Sequence, residues 1–343
     1  MLRNLILFLF VAGLVAVYVG YGKYQDVFSP NVPKELKNQY LHIPTNSTFQ
    51  EVVDLLVQQS IIMDTASFTW VAERMNYIRP QMRAGRFKIE PRWNNRQLIR
   101  HLRGGKQAPV KVVLNNERLP EDIAGKVAQF IETDSISLYR LLTNEDYLDQ
   151  HGYTRETVIS AFIPNTYEFY WNTNEKTFFE RMLKEHDKFW SQNNRQQKAK
   201  TQKLSPEEVY TLASIVQRET SRNDEKARIA GVYLNRIKKG MRLQADPTVV
   251  FATRDFNTRR VTNRHLAVES PYNTYKYTGL PPGPISMADI STLDAILNAE
   301  DHNYIFFCAK GDGSGYHAFA QTLSGHNANA ARYKRNLKKR GLR

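Results

Sequence analysis

An uncharged apolar run near the amino terminus constrains this chain most. Leu5–Gly22 reads LILFLFVAGLVAVYVGYG and contains no charged residue. As a helix, that length just spans a bilayer core. A cleaved signal peptide is the rival reading. No A-x-A site precedes Lys23 and no nearby cysteine marks a lipoprotein, so the expectation is an uncleaved anchor. Tyr18, Tyr21 and Tyr24 would sit at the outer interface. Charge does not set the orientation, because only Arg3 precedes the run and Lys23 follows it at once. A short tail and a large carboxy-terminal part favour placing the bulk outside the cytoplasm. Residues 1–4 then form a cytoplasmic tail, 5–22 the span and 23–39 a tether containing Pro30 and Pro33.

The 343 residues exceed one comfortable core, so two further domains are expected. A formal charge of +14 favours an anionic partner: nucleic acid, membrane headgroups or an acidic polymer. No zinc-finger spacing, RNA-recognition signature or phosphate-binding glycine loop is present, so no nucleic-acid partner is expected. The lone Cys308 excludes an internal disulfide and reads as a buried small hydrophobe. The eight histidines fall into no ligand spacing, and neither metal nor cofactor is expected.

The fold class expected is α+β. Leu41–Ile43 and Gly85–Ile89 read as strands, with helices from Phe49, over Ala66–Met75 and over Arg96–Leu102, the last stopped by Gly104 and Gly105. This βααβ pattern with a trailing helix makes a small module over residues 40–108, leaving 109–343 as a larger mixed domain. Phe162–Trp171 (FIPNTYEFYW) is either core or groove wall. The polar stretch Ser191–Lys203 reads as a linker or exposed helix end.

The sharpest chemical signal starts at Ser205. Ser205-Pro206-Glu207-Glu208 is a capping box with proline at the first helical position. Turning 100° per residue from Val209 places Leu212, Ile215 and Val216 on one side, with Glu219 among them. Arg218 points the opposite way and Gln217 to the side. A carboxyl group in an apolar stripe either pairs with a buried cation or keeps its proton through a raised pKa. The second state is that of a general acid near neutral pH. A second helix starts at Asn223 or Asp224 and runs to Gly240, and Asp246-Pro247 can open a third. Pro271–Ser286 is a Tyr-, Pro- and Gly-rich loop suited to sugar binding or to packing. Tyr304–Ala309 and Tyr316–Phe319 flank a glycine-rich turn, as in a hairpin, with His317 and His326 following.

Four stretches together resemble a known family, the endolytic murein transglycosylases of the YceG-like type. They are LASIVQRET (Leu212–Thr220), AGVYLNRIKKGMRLQADPTV (Ala230–Val249), YNTYKYTGLPPGPIS (Tyr272–Ser286) and the spaced His317, Phe319, Leu323, His326 and Asn327. The resemblance implies one amino-terminal span, a LysM-like module and a catalytic domain outside the inner membrane. It implies Glu219 as the catalytic acid and base, from an I-V-E-K-E-T-like motif whose first acidic position is Gln217 here. The implied reaction is non-hydrolytic cleavage of the MurNAc-β-1,4-GlcNAc bond of peptidoglycan, leaving 1,6-anhydroMurNAc ends and limiting nascent strand length. Gln244, Asp246, Tyr272, Asn273, Tyr275 and His317 are the candidates for substrate contacts, and Asp246 reads equally as a helix cap. The implied partners are glycan strands and cell-wall synthases. Rival readings are a binding-only protein, a lysozyme-like hydrolase and an aminodeoxychorismate lyase. The last would need pyridoxal phosphate, for which the sequence offers no motif.

Overall fold

The structure is a computed structural model that describes residues 1–258 and 260–342. The chain divides into two compact units. The first holds Met1–Lys111 plus two short returning pieces, Phe130–Thr133 and Glu168–Asn174. The second holds Val112–Gln129, Asp134–Tyr167 and the chain from Glu175 onward.

The first unit begins with helix α1 (Leu2–Phe28), long and apolar enough to cross a membrane. The helix outruns the expected span because Lys23 and Asp26 pair at 2.7 Å on its surface and Lys23 lies 4.4 Å over the Trp70 ring. The expected tether is therefore corrected. Residues 23–28 are helical, and Asn31 and Val32 are buried against the module. The Asn31 side chain accepts from the backbone N–H groups of Met63 and Asp64 and donates to the Asp64 carbonyl at 2.8 Å. A free linker would have left those N–H groups without this side-chain acceptor.

Strand β1 (Tyr40–Ile43), helices α2 (Phe49–Gln58) and α3 (Thr65–Arg74), strand β2 (Gly85–Lys88) and helix α4 (Asn95–Gly104) follow in the βααβ order with its trailing helix. The strands are antiparallel, with Tyr40 opposite Lys88 and Ile43 opposite Gly85. Leu41, Ile43 and Phe87 face inward against Val52, Leu56, Phe68, Leu98 and Leu102, all buried. Reciprocal capping boxes, Thr48 with Glu51 and Asn94 with Gln97, fix the starts of α2 and α4. The returning pieces are tied in by polar and aromatic contacts. Glu132 accepts from the Thr45 N–H at 2.6 Å, and His42 meets the Trp171 ring edge-on at 5.0 Å.

Strand β3 (Val110–Leu114) leads from the first unit into the second, which continues through α5 (Pro120–Val127), α6 (Ser135–Leu142), α7 (Glu145–Asp149) and a 3-10 turn at Val158–Ala161 to β4 (Asn165–Phe169), whose last residues return to the first unit and which pairs with β3. Then come α8 (Glu175–Ser191), α9 (Arg195–Gln202), α10 (Pro206–Glu219), α11 (Asn223–Lys238), α12 (Asp246–Thr253), α13 (Asn263–Leu266) and α14 (Ile290–Leu297). The hairpin β5 (Phe306–Ala309) and β6 (His317–Ala320) and helix α15 (Leu323–Lys339) complete it. Helix α10 is the centre, packed against α11, α12 and α14. Every residue from Val209 to Val216 is buried, so the helix meets solvent only in its first and last turns. The aromatic stretch after the 3-10 turn supplies core rather than groove wall: Phe162, Ile163 and Tyr167 are buried, and the Tyr210 hydroxyl donates to the Phe162 carbonyl at 2.7 Å.

The polar stretch after α8 is not a linker. It forms α9, held where the buried Arg195 guanidinium donates to both Asp294 oxygens at 2.8 and 3.0 Å and to the Phe189 carbonyl. A paired, bidentate arginine can be buried where an isolated one cannot.

Candidate active site

Helix α10 starts as its sequence dictates. The Glu208 N–H donates to Ser205 Oγ, and the Ser205 N–H donates to Glu208 Oε2 at 2.8 Å. It ends at Glu219, half-buried in the last turn beyond the enclosed stretch Val209–Val216. The Tyr233 hydroxyl, on α11, donates to Glu219 Oε1 at 2.7 Å. Among the described residues no cation forms an ion pair with Glu219. Arg236 is the nearest positive influence, but its buried guanidinium is engaged by the carbonyls of Ile305 and Leu243, each at 2.7 Å.

Of the two states open to a carboxyl group in an apolar stripe, the surroundings of Glu219 favour the protonated one. Burial pushes the Glu219 pKa up to about 7, the Tyr233 hydrogen bond and Arg236 offset part of that rise, and the negative Asp246 adds to it. The carbonyl-rich end of α10 acts in the same direction as burial. Tyr233 itself is held well above its ordinary pKa by burial and by the Glu219 charge, so it stays a donor. Replacing Tyr233 by Phe removes the one group that stabilises the ionised carboxylate directly. The alkaline limb of a pH–rate profile should then move upward by about one unit. An unchanged limb in the variant would refute this role.

Two cavities meet at Glu219. One, of about 520 Å³, is walled by Arg118, Arg218, Asp246, Phe251, Phe256 and Arg260 among others. The other, of about 340 Å³, is walled by Tyr233, Gln244, Tyr275, Cys308, His317 and His326 among others. Glu219 and Asp246 belong to both walls. Glu219 thus stands between the two cavities, on the wall of each.

The sequence candidates divide. Asp246 is not a helix cap: Ala245 holds the N-cap position of α12, and the Asp246 carboxylate accepts from the Tyr275 hydroxyl at 2.5 Å. Gln244 is exposed on the second cavity, its positive φ of 53° held by its N–H donating to the Thr274 carbonyl. Tyr272 packs 4.7 Å from Phe251, lining a further small cavity that shares Arg118 and Phe251 with the larger one. Asn273 is corrected: it is fully buried and cannot meet a sugar. Its amide donates to the carbonyls of Leu266 and Val268 and accepts from the Tyr275 N–H, closing the loop that presents Tyr275.

His317 reaches the second cavity because the hairpin is clamped to the start of α11. The Tyr316 hydroxyl donates to Asp224 at 2.9 Å, and the buried Glu225 accepts from the His317 N–H and lies 2.9 Å from its Nδ1. Arg222, not Asn223 or Asp224, is the N-cap of α11, which leaves both acids for these contacts. His326 stacks on Phe306 at 5.2 Å, its Nδ1 buried without a partner among the described residues. Cys308 is partly exposed on the cavity wall rather than buried. Gln217 is structural: it donates to Asp289 at 2.9 Å and accepts from Lys226 and Thr292, joining α10, α11 and α14.

Sequence reasoning missed Tyr233 as the partner of Glu219, since on α11 it reads as one more apolar-face residue. It also missed the arginines. Arg218 turns toward the larger cavity, not away from the site, and Arg118 and Arg260 are too distant in sequence to be grouped with it.

The profile of the YceG-like family matches residues 41–332. The chain belongs to the YceG-like family. Among its YceG-like relatives, an endolytic murein transglycosylase of Bacillus subtilis is 40% identical over 134 residues, covering 39% of this chain and 36% of that protein. An endolytic murein transglycosylase of Streptococcus pneumoniae is 25% identical over 349 aligned positions, covering 92% of this chain and 62% of that protein. The chain thus spans less than two thirds of the length of either relative. The crystal structure of a YceG-like protein from Listeria monocytogenes superposes with a TM-score of 0.56 at 26% identity, covering 84% of this chain and 97% of that one.

Proposed function

We propose that this YceG-like chain is an endolytic lytic transglycosylase that cuts the MurNAc-β-1,4-GlcNAc bond within peptidoglycan strands. The observation that carries the reading is Glu219: a carboxyl group whose pKa burial raises to about 7, hydrogen-bonded to Tyr233 and shared by the walls of two cavities. Cavities on both sides of Glu219 offer room for sugars on either side of the bond that is cut, as an internal cut requires. The relatives' names, endolytic murein transglycosylase, agree with this geometry.

Protonated Glu219 gives its proton to the glycosidic oxygen as the bond to C1 of the muramyl sugar breaks. The carboxylate then takes the proton of the same sugar's 6-hydroxyl, whose oxygen closes onto C1. One carboxyl group serves both steps, because the nucleophile belongs to the substrate and no water is consumed. The negative Asp246, fixed by Tyr275, faces the positive charge that develops at C1. A hydrolytic rival would use Asp246 to activate water, as the second acid of a carboxylate pair.

Product mass separates the two. Glycan incubated with the protein should yield fragments with 1,6-anhydro ends, lighter by one water than reducing ends. Reducing ends as the main product would replace this reading with hydrolysis. The wider setting belongs to the same proposal: α1 anchors the protein in the inner membrane, the residue 40–108 module is LysM-like and residues 109–343 work outside the cytoplasm. The groove there trims nascent strands beside cell-wall synthases.

A further inference from the structure

The larger cavity holds more positive charge than its acidic neighbours balance. Arg118, Arg218 and Arg260 line it, against Asp246 and a Glu219 that is neutral in its acid form. Among the described residues none of the three arginines forms an ion pair. Arg118 lies 4.4 Å over the Phe256 ring, and Arg218 donates to two neutral oxygens, Ser286 Oγ at 3.2 Å and Asn116 Oδ1 at 2.8 Å. Both are half-buried. Burial, followed by the nearby Arg118 charge, lowers the pKa of Arg218, while Asp289 acts the other way. Asp289, however, already accepts from Gln217. Half-buried guanidinium groups that repel each other are destabilising unless an anion joins them. Their planar donor forks match carboxylate and phosphate.

We propose that this arginine-lined cavity binds the carboxylates of the peptide stem carried by the muramyl sugar at Glu219, making stem-bearing strands the preferred substrate over stripped ones. The assignment rests on the proposed transglycosylase reading and adds the substrate class. Carboxylate is favoured over phosphate by position. The cavity shares Glu219 with the cleavage point, and every muramyl residue carries its stem there. The pyrophosphate of a lipid-linked strand lies only at the strand's end, away from an internal cut. The Phe256 ring beside Arg118 suits the apolar side chains of such a stem.

The test uses the full chain in detergent and one glycan preparation, half of it stripped of stems by an amidase and the lactyl carboxylates so freed capped as amides. Wild type should show a kcat/KM at least tenfold higher on stem-bearing strands. In Arg118→Gln and Arg218→Gln that ratio should fall to within about threefold of one, and Arg118→Lys should keep most of it. Exposed Arg260→Gln, which does not threaten folding, should lower the ratio in part. Equal rates of wild type on both substrates, or a ratio untouched by the arginine changes, would overturn the proposal. A binding arm separates it from the enzymatic reading: Glu219→Gln should bind a muropeptide with a free stem carboxylate at least fivefold more tightly than its carboxamide. Should wild type cleave nothing while that difference persists, the reaction fails and the cavity assignment stands. Inorganic pyrophosphate competing strongly while carboxylate and carboxamide bind alike would assign the cavity to the strand's lipid end and overturn it.

Discussion

Glu219→Gln should lower kcat for glycan cleavage by at least 10³-fold while leaving strand binding within a few-fold of wild type. Positioned general acid–base catalysis contributes about 10² to 10⁴ per role, and in the proposed reaction one side chain fills both roles. Gln is nearly isosteric and can still accept the Tyr233 hydrogen bond through its amide oxygen, so the site keeps its shape. It has no proton to give to the glycosidic oxygen and no basic oxygen for the 6-hydroxyl proton. No second acid rescues it at its own position in the motif, because Gln217 is already an amide and is locked to Asp289, Lys226 and Thr292. Fragment release by the variant at more than about a tenth of the wild-type rate would move the chemistry to another group, with Asp246 first in line.

The same substitution should stabilise the fold above neutral pH. A free glutamate carboxyl titrates at 4.5, and Glu219 in the folded chain titrates at about 7. Between those values the folded state holds a proton that the unfolded state has lost. Stability therefore falls as pH rises through that window and does not return above it. At 1.36 kcal/mol per unit, the wild type gives up on the order of 3 kcal/mol by pH 8. Glutamine does not ionise and escapes the loss. Wild type and Glu219→Gln should melt together near pH 4. By pH 8 the variant should lead by about 5–10 °C in the transition of the second unit. A gap that does not grow with pH, or a variant less stable throughout, would contradict the burial account.

These two effects follow from features of unequal visibility in the sequence. The carboxyl group was legible, because helix periodicity alone sets Glu219 among Leu212, Ile215 and Val216 and its burial follows. The capping box at Ser205 and the hairpin that carries His317 were legible for the same local reasons. What makes Glu219 an acid rather than half of an ion pair was not. That depends on Tyr233 from the next helix and on Arg236 being engaged by carbonyls of the Arg242–Leu243 and Ile305 segments, contacts fixed by how the elements pack. Asn273 misled because an amide on a polar loop looks alike whether it meets solvent or satisfies the backbone of its own turn. The tether misled similarly: Pro30 and Pro33 suggest a stiff linker, but only tertiary structure shows Asn31 answering the orphan N–H groups of Met63 and Asp64. The arginine cavity left no local signal, since Arg118 and Arg218 lie far apart in sequence and are brought together only by folding.

The most direct measurement is the titration of the Glu219 carboxyl carbon by NMR in the wild-type chain, assigned by its disappearance in Glu219→Gln. The account predicts a midpoint near 7, rising further in Tyr233→Phe. A midpoint close to 4.5, the value of a freely hydrated glutamate, would contradict it.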